Sequence, residues 1–348
     1  MSSSGKHSSG STATSLILIA AVAGAFLYTG GWLGPARTTP DKIVTALAPP
    51  GGPALGRRRN HVKGVCFTGV FAANGAGASL STAAMLARGE YPVIGRFNLA
   101  SADLSAPDGG VRVRGLSLAI TAPDGEEWRT AMIDAPFFPV ATPAAFYDLL
   151  VASKSKDPGA MGAFVAAHPE LPAFGAWAKS APWTGSYAEE RYNSLNSFVF
   201  TNGGGAQAVV RWSFVPAAAP TIVSADALKQ LGPDFLEQEI GQRLAHSPLR
   251  WEMQVAVAAP GDPTADPSKP WPETRRTVDV GTLIVKAVEP EPDGPCRDIN
   301  YDPTVLPAGI AVSDDPFPAA RSSAYRRSYD LRAAEARSYP GNAAGAAP

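Results

Sequence analysis

The stretch Arg58-Arg59-Asn60-His61-Val62-Lys63-Gly64 sets one histidine behind a basic run and at the head of an apolar, partly β-branched segment, Val62 to Ala72. That composition predicts a strand. Val93 to Leu99, Val111 to Thr121 and Trp128 to Ile133 follow at short intervals, separated by the turn signals Asp108-Gly109-Gly110 and Pro123-Asp124-Gly125. Helical patterns then cover Ala144 to Ala152 and Gly159 to His168. A second β group comprises Ser197 to Thr201, Ala208 to Val215, Trp251 to Ala259 and Thr277 to Val285. The Asn202-Gly203-Gly204-Gly205 turn makes a hairpin of its first two members, and a helix from Asp226 to Ala245 precedes the third. Seven prolines between Glu289 and Pro318 leave no credible element, and so long a stretch is either functional or wraps another surface. A last helix runs from about Pro318 to Arg337. Two groups of four strands separated by helices give an α+β protein. Closing eight antiparallel strands on themselves would remove every exposed edge.

The 348 residues carry a net charge of −1, so no general basic field argues for nucleic acid. Hydrophobic residues at 45% suffice for a packed core. Two cysteines, Cys66 and Cys296, exclude a disulfide-dense scaffold and a four-cysteine metal cluster. They are either two free thiols or, in a domain outside the cytoplasm, one bridge. Ser15 to Leu33 contain no charge and reach the length of a membrane-spanning helix, with Tyr28 to Trp32 as an interfacial aromatic anchor. The expected order is a disordered tail (1–14), a signal anchor or transmembrane helix (15–34), a Pro/Gly-rich linker (35–57), a folded domain (58–340) and a second disordered tail (341–348). The linker holds one short helix, about Pro40 to Leu47, with Thr39 as its cap. Arg37 and Lys42 do not fix the orientation. The expectation is a bacterial inner-membrane anchor with the domain in the periplasm, or a periplasmic protein if the anchor is cleaved.

Chemistry is concentrated in four separated places. His61 is a candidate acid–base group, because a neutral imidazole can both accept and return a proton. In Arg96-Phe97-Asn98, positions 96 and 98 share one face of a strand, and a buried arginine there needs an anion to grip. Met132-Ile-Asp-Ala-Pro-Phe-Phe138 is followed by Phe146. Arg321 and Tyr325 are four apart and share a helix face, where the guanidinium favours a phenolate oxygen. The other histidines, His7, His168 and His246, form no pair with metal-ligand spacing.

These segments, with Leu306-Pro-Ala-Gly-Ile310 and Ser313-Asp-Asp-Pro316, resemble the haem site of the monofunctional haem catalases, in the short form called catalase-related peroxidases or minicatalases. The resemblance covers about residues 55–335 and lacks the extra C-terminal regions and the N-terminal arm of the larger members. It implies a catalase-like eight-stranded antiparallel β-barrel with flanking helices, here preceded by an N-terminal transmembrane helix, and a monomer or homodimer. It implies haem b, iron protoporphyrin IX, with Tyr325 as the metal ligand, as is known for catalase. Arg58, Arg96 and Arg332 match partners of the haem propionates, and Phe146 matches the aromatic stacked on the haem plane. Arg321 matches the arginine that supports the tyrosine, and Asp315 the carboxylate that orients that arginine. His61 and Asn98 match the distal catalytic pair, although the family carries a hydroxyl residue where Asn98 stands and alanine where Val62 stands. The family's distal catalytic amide falls on Ile133, or on Asp134 after a one-residue shift, so Asp134 is the third catalytic candidate. Ser213 stands where a larger donor is usual.

The implied activity is haem-dependent reduction of hydrogen peroxide or organic hydroperoxides by an external, unidentified electron donor. The altered distal amide favours this over fast dismutation and leaves weak catalase activity. Alternatives on the same fold are a hydroperoxide-rearranging enzyme and a non-catalytic haem carrier or sensor. A haem-free lipid-binding barrel is a third reading. The partners expected are the peroxide, the donor and the membrane through the N-terminal helix, with no nucleic acid.

Overall fold

The computed structural model describes residues 19–24 and 38–338, in two units divided after Thr39. In the first unit residues 19–24 are helical. The remainder of the anchor expected over 15–34 lies outside the described residues, as do both expected tails. No helix among the described residues is long and apolar enough to cross a membrane.

Among the described residues the second unit contains twelve strands: β1 (Gly64–Ala73), β2 (Gly89–Leu99), β3 (Arg114–Thr121), β4 (Glu127–Ile133), β5 (Trp183–Thr184), β6 (Tyr192–Asn193), β7 (Phe198–Thr201), β8 (Gln207–Pro216), β9 (Ile222–Val223), β10 (Leu249–Val257), β11 (Thr277–Pro290) and β12 (Ile310–Val312). Eight of them close a ring in the order β1-β2-β3-β4-β6-β8-β10-β11 and back to β1, every pair antiparallel. The expected barrel is therefore present, with one correction to its membership. Strand β7, expected as a stave, lies outside the ring, paired with β8 on one side and β12 on the other. The two-residue β6 takes its place between β4 and β8. Tyr192-Asn193 is too short to carry a periodicity.

Seven helices accompany the ring: α1 (Pro40–Leu47), α2 (Pro143–Lys154), α3 (Ala160–Ala167), α4 (Leu171–Ser180), α5 (Ala225–Gln230), α6 (Phe235–Leu244) and α7 (Phe317–Ser338). The single helix expected from Asp226 to Ala245 is two, because Gly232-Pro233 interrupts it. Helix α4 was not legible, since its Pro172 reads as a breaker although proline is tolerated in the first turn. Helix α1 was expected inside a linker, yet it packs on α2 and α7 as part of the folded unit.

The barrel interior is filled by apolar rings. Phe97 lies 4.7 Å from Phe67, 5.3 Å from Tyr187 and 5.6 Å from Trp251 between centroids. Phe71, Leu116, Leu118, Trp128 and Phe214 are equally buried. Each such side chain contributes about 1.5–3 kcal/mol through removal of its surface from water. The packed interior leaves the lipid-binding-barrel reading without support. Cys66 of β1 and Cys296 of the proline-rich excursion form a disulfide with Cα atoms 5.3 Å apart, so the bridged alternative holds.

Candidate functional site

Strand alternation decides where the chemistry lies. Phe97 points into the barrel, so Arg96 and Asn98 point out of it. Cross-strand pairing extends each into a row: Gly64, Asn98, Gly115, Ile133 and Asn193 in one, and Cys66, Arg96, Ser117 and Ala131 in the other. These rows form the floor of a cavity between the outer barrel wall and helices α1, α2 and α7. It encloses about 1380 Å³ of empty space, including the part open to solvent. His61, Phe146, Arg321 and Tyr325, far apart in sequence, all line it.

His61 is held by Asn98. The Asn98 amide nitrogen donates to the Arg96 carbonyl (3.4 Å), which turns its Oδ1 to His61 Nδ1 at 2.6 Å. The imidazole proton therefore sits on Nδ1, and Nε2 remains an acceptor. Burial pulls His61 down to about 4, and the charges of Arg96, Arg321 and Arg58 act in the same direction against the Asn98 hydrogen bond. The ring is neutral at ordinary pH. Two glycines make room for this pair. A Cβ at Gly115 would collide with Asn98 Oδ1, and one at Gly64 would collide with the Phe97 carbonyl oxygen, which leads into Asn98. His61 has φ 53° and Leu195 φ 56°, the only non-glycine residues with positive φ among the described residues, and both line the cavity. Such backbone costs about 1–3 kcal/mol and persists where its surroundings impose it.

Helix α7 supplies the opposite wall. Asp315 accepts from Phe317 N at 2.8 Å and so starts the helix. Residues 317, 321, 325, 328 and 332 then recur at three to four positions, which puts them on one face toward the cavity. Arg321 donates to Tyr325 Oη at 3.1 Å, to the Ala131 carbonyl at 2.7 Å and to Asn196 Oδ1 at 2.6 Å. A cation donating to a phenol oxygen is what an anionic metal ligand requires. Asp315, matched in sequence to the carboxylate that orients Arg321, reaches it through one intermediary. It accepts from Asn196 Nδ2 (2.9 Å), and Asn196 passes the orientation on. Asn196 was missed; its only sequence signal is a buried amide in Ser194-Leu195-Asn196-Ser197, beside an apolar strand.

The basic residues gather at one end. Arg96 Nη2 meets Glu291 Oε2 at 2.6 Å, and Arg58 Nε meets Oε1 at 3.2 Å. Arg58 also donates to the carbonyls of Cys296 and Ile299, both at 3.0 Å. Arg332 donates to those of Arg297 (2.6 Å) and Ile299 (3.3 Å). Burial, then the Arg58 charge, pulls Arg332 down to about 9. Burial pushes the Glu291 carboxyl up, but the guanidiniums of Arg96 and Arg58 outweigh it and hold it below the usual carboxylate range. Three guanidiniums thus face one carboxylate, which leaves a buried excess of two positive charges. Arg96 Nε is also buried, with no hydrogen-bond partner among the described residues. Glu291 was not singled out from sequence, because it lies in the proline-rich excursion.

A tetrapyrrole with two carboxylates and a metal centre fits this set. The arginine excess matches two anionic groups, Tyr325 offers an oxygen ligand supported by a cation, and Phe138, Phe146 and Phe317 form an aromatic wall with centroid separations of 5.4 and 5.0 Å. Arg58, Arg96, Phe146, Arg321, Tyr325 and Arg332 are all brought to it. Asp134 is the exception and a correction. Its carboxylate is turned away from the cavity, accepting from Arg114 N at 3.0 Å and lying 3.4 Å from Arg112 Nη1. Burial and the neighbouring Glu190 raise it. Ile133 lines the cavity instead, as direct counting gives. The nearest amide in its row is Asn193, whose oxygen accepts from Ser213 (2.8 Å) and whose nitrogen donates to the Ala135 carbonyl (3.1 Å). Ser213 therefore serves Asn193, with no bond to Arg321.

Comparison with known proteins agrees with this geometry. A family model described as Catalase matches residues 54–344. A protein named catalase-related peroxidase from Synechococcus elongatus is 35% identical over 300 residues, covering 84% of this chain and 88% of its own. Another of that name, from Mycolicibacterium paratuberculosis, is 32% identical over 297 residues, covering 84% and 95%. The solved structure titled "Structure of a bacterial catalase" superimposes with a TM-score of 0.71 at 18% identity, covering 85% of this chain and 61% of that one. With a ring of eight strands, a histidine held by an amide on its outer wall and a tyrosine held by an arginine opposite, the chain belongs to the catalase family and resembles its catalase-related peroxidases.

Proposed function

We propose that the protein is a haem-dependent peroxidase that reduces hydrogen peroxide or organic hydroperoxides with electrons from an external donor. The observation that carries this reading is His61, neutral, with Nε2 available, lining the same cavity as a Tyr325 oxygen supported by Arg321. A carrier has no need of such an acid–base group. When bound, haem b would supply the redox-active iron and the store of oxidising equivalents that peroxide fills and the donor's electrons discharge.

The remaining roles belong to this chain's residues. Arg58, Arg96 and Arg332 would hold the two propionates, Phe146 would pack against the porphyrin, and Tyr325 would ligate the metal. His61 Nε2 takes a proton from the proximal oxygen of the hydroperoxide and returns it to the departing oxygen. Asn98 fixes the tautomer that makes this transfer productive. Over a full turn, each hydroperoxide takes two electrons from the donor and two protons from donor and solvent, leaving as an alcohol and water, or as two waters from hydrogen peroxide. Ile133 puts a methyl wall where an amide would help place a second peroxide, so dismutation is slow relative to donor oxidation. The buried Cys66–Cys296 bridge and the uncharged run at 15–33 support a domain held outside the cytoplasm on an inner-membrane anchor.

The test is steady-state oxidation of a dye donor by peroxide, wild type against His61→Ala, after a Soret band has been recorded for both. A loss of about 10²–10⁴-fold in the variant is expected. Equal rates with equal haem content would end the peroxidase assignment.

A further inference from the structure

We propose that helix α1 is a wall of the haem site, and that Ile43, Val44 and Leu47 decide how bulky an apolar hydroperoxide the cavity admits. This inference rests on the haem-peroxidase reading above. The barrel floor, helices α2 and α7 and the loop segments carrying His61, Asn196 and Tyr301 line the rest of the cavity, and α1 packs against both helices. Its three aliphatic side chains all line the cavity, with Ile43 and Val44 buried. Spacing explains the choice. Positions 43, 44 and 47 share one helical face, whereas Asp41 and Thr45 are exposed on the other.

The helix is fastened at both ends by charge. Asp41 Oδ1 meets Arg327 Nε of α7 at 2.5 Å. At the other end Lys154 of α2 donates to the carbonyls of Ala46 and Ala48, the latter at 2.7 Å, which satisfies the acceptors that a helix terminus leaves unpaired. An eight-residue helix has little stability of its own, so its position depends on these ties and on its apolar face. All three contacts that α1 offers the cavity are hydrocarbon. It adds no polar group that could handle a proton, and it selects by shape and apolar fit alone. Such a wall discriminates against size where His61 discriminates by chemistry.

Leu47→Trp and Leu47→Ala are the informative variants, because Leu47 is half-buried and tolerates change better than the two buried neighbours. Two readouts separate this proposal from the reading beneath it. The first is the second-order rate at which the Soret band responds to hydrogen peroxide and to cumene hydroperoxide. Leu47→Trp should lower the cumene rate by about 10-fold or more while the hydrogen peroxide rate stays within about twofold, and Leu47→Ala should move the ratio the other way. The second is transfer of haem to excess apomyoglobin, which should quicken several-fold, about 3- to 10-fold, in an Ile43→Ala/Val44→Ala double variant that has lost the apolar contacts. An unchanged peroxide ratio in both Leu47 variants, with haem transfer at the wild-type rate, overturns the proposal and leaves the peroxidase reading intact. A wild-type chain that takes up no haem overturns both.

Discussion

At the residue scale, the two ionisable groups that matter are each explained by what surrounds them. His61 titrates near 4 in the folded chain against 6.5 when unfolded, with burial as the leading cause. Protons therefore favour the unfolded chain, and the stability associated with the neutral ring is present above 6.5 and lost as the pH falls through about 4. The same shift keeps the base competent, so the acid limb of the peroxide-rate profile should lie near pH 4 and not near 6.5, which a pH series of single-turnover rates would check. Glu291 is also held below its ordinary range, but by the guanidiniums of Arg96 and Arg58 against burial. It is the sole anion against Arg58 and Arg96, and Glu291→Gln should cost the haem-free protein about 3–5 kcal/mol by denaturant titration, because removing one member of a buried pair strands the other. Much of that loss should return on adding haem, whose propionates would replace the charge. His61, Asn98, Arg96 and Tyr325 were reached from the sequence through the family resemblance, because each alone is a common pattern. Glu291 and Asn196 were not, since their roles arise only when distant segments meet. Asp134 was misplaced by one residue, and on a strand one residue reverses the face.

At the element scale, the site is written in two rows across the barrel wall more than in any single strand. Gly64 and Gly115 flank Asn98 on its two neighbouring strands; a Cβ at Gly115 would displace the Asn98 amide, and one at Gly64 would strike the Phe97 carbonyl. Gly115→Ala should therefore mimic loss of Asn98, lowering the His61-dependent peroxide rate by about 10–100-fold, a size typical of supporting residues. Asp134→Asn, on the adjoining strand but facing away, should leave that rate within about threefold under the same assay. A result in which the two variants behave alike would contradict the row geometry. Strand periodicity revealed most staves, but it pointed to Ser197 to Thr201 as one of them. That segment alternates convincingly because it is a real strand, only outside the ring. The true stave, Tyr192-Asn193, is held by its neighbours and not by its own pattern. Similarly, the pattern of α1 was visible, but its partner surfaces on α2 and α7 were not.

At the scale of the whole molecule, the bridge between Cys66 and Cys296 joins the barrel to the proline-rich excursion. Cys66 sits beside Arg96 in the same row, and residues 296, 297 and 299 supply the carbonyls that hold Arg58 and Arg332. One covalent bond thus fastens the backbone that aims two guanidiniums, Arg58 and Arg332. Thiol oxidation should therefore precede pigment uptake. A chain made in a reducing compartment should fold its barrel, whose core owes nothing to the bridge, yet accept its prosthetic group weakly. The ratio of Soret to protein absorbance after reconstitution should fall about 10-fold in Cys66→Ser/Cys296→Ser, with far-ultraviolet circular dichroism unchanged, an effect in the range of lost supporting contacts. Colour would then report where in the cell a given molecule had been assembled.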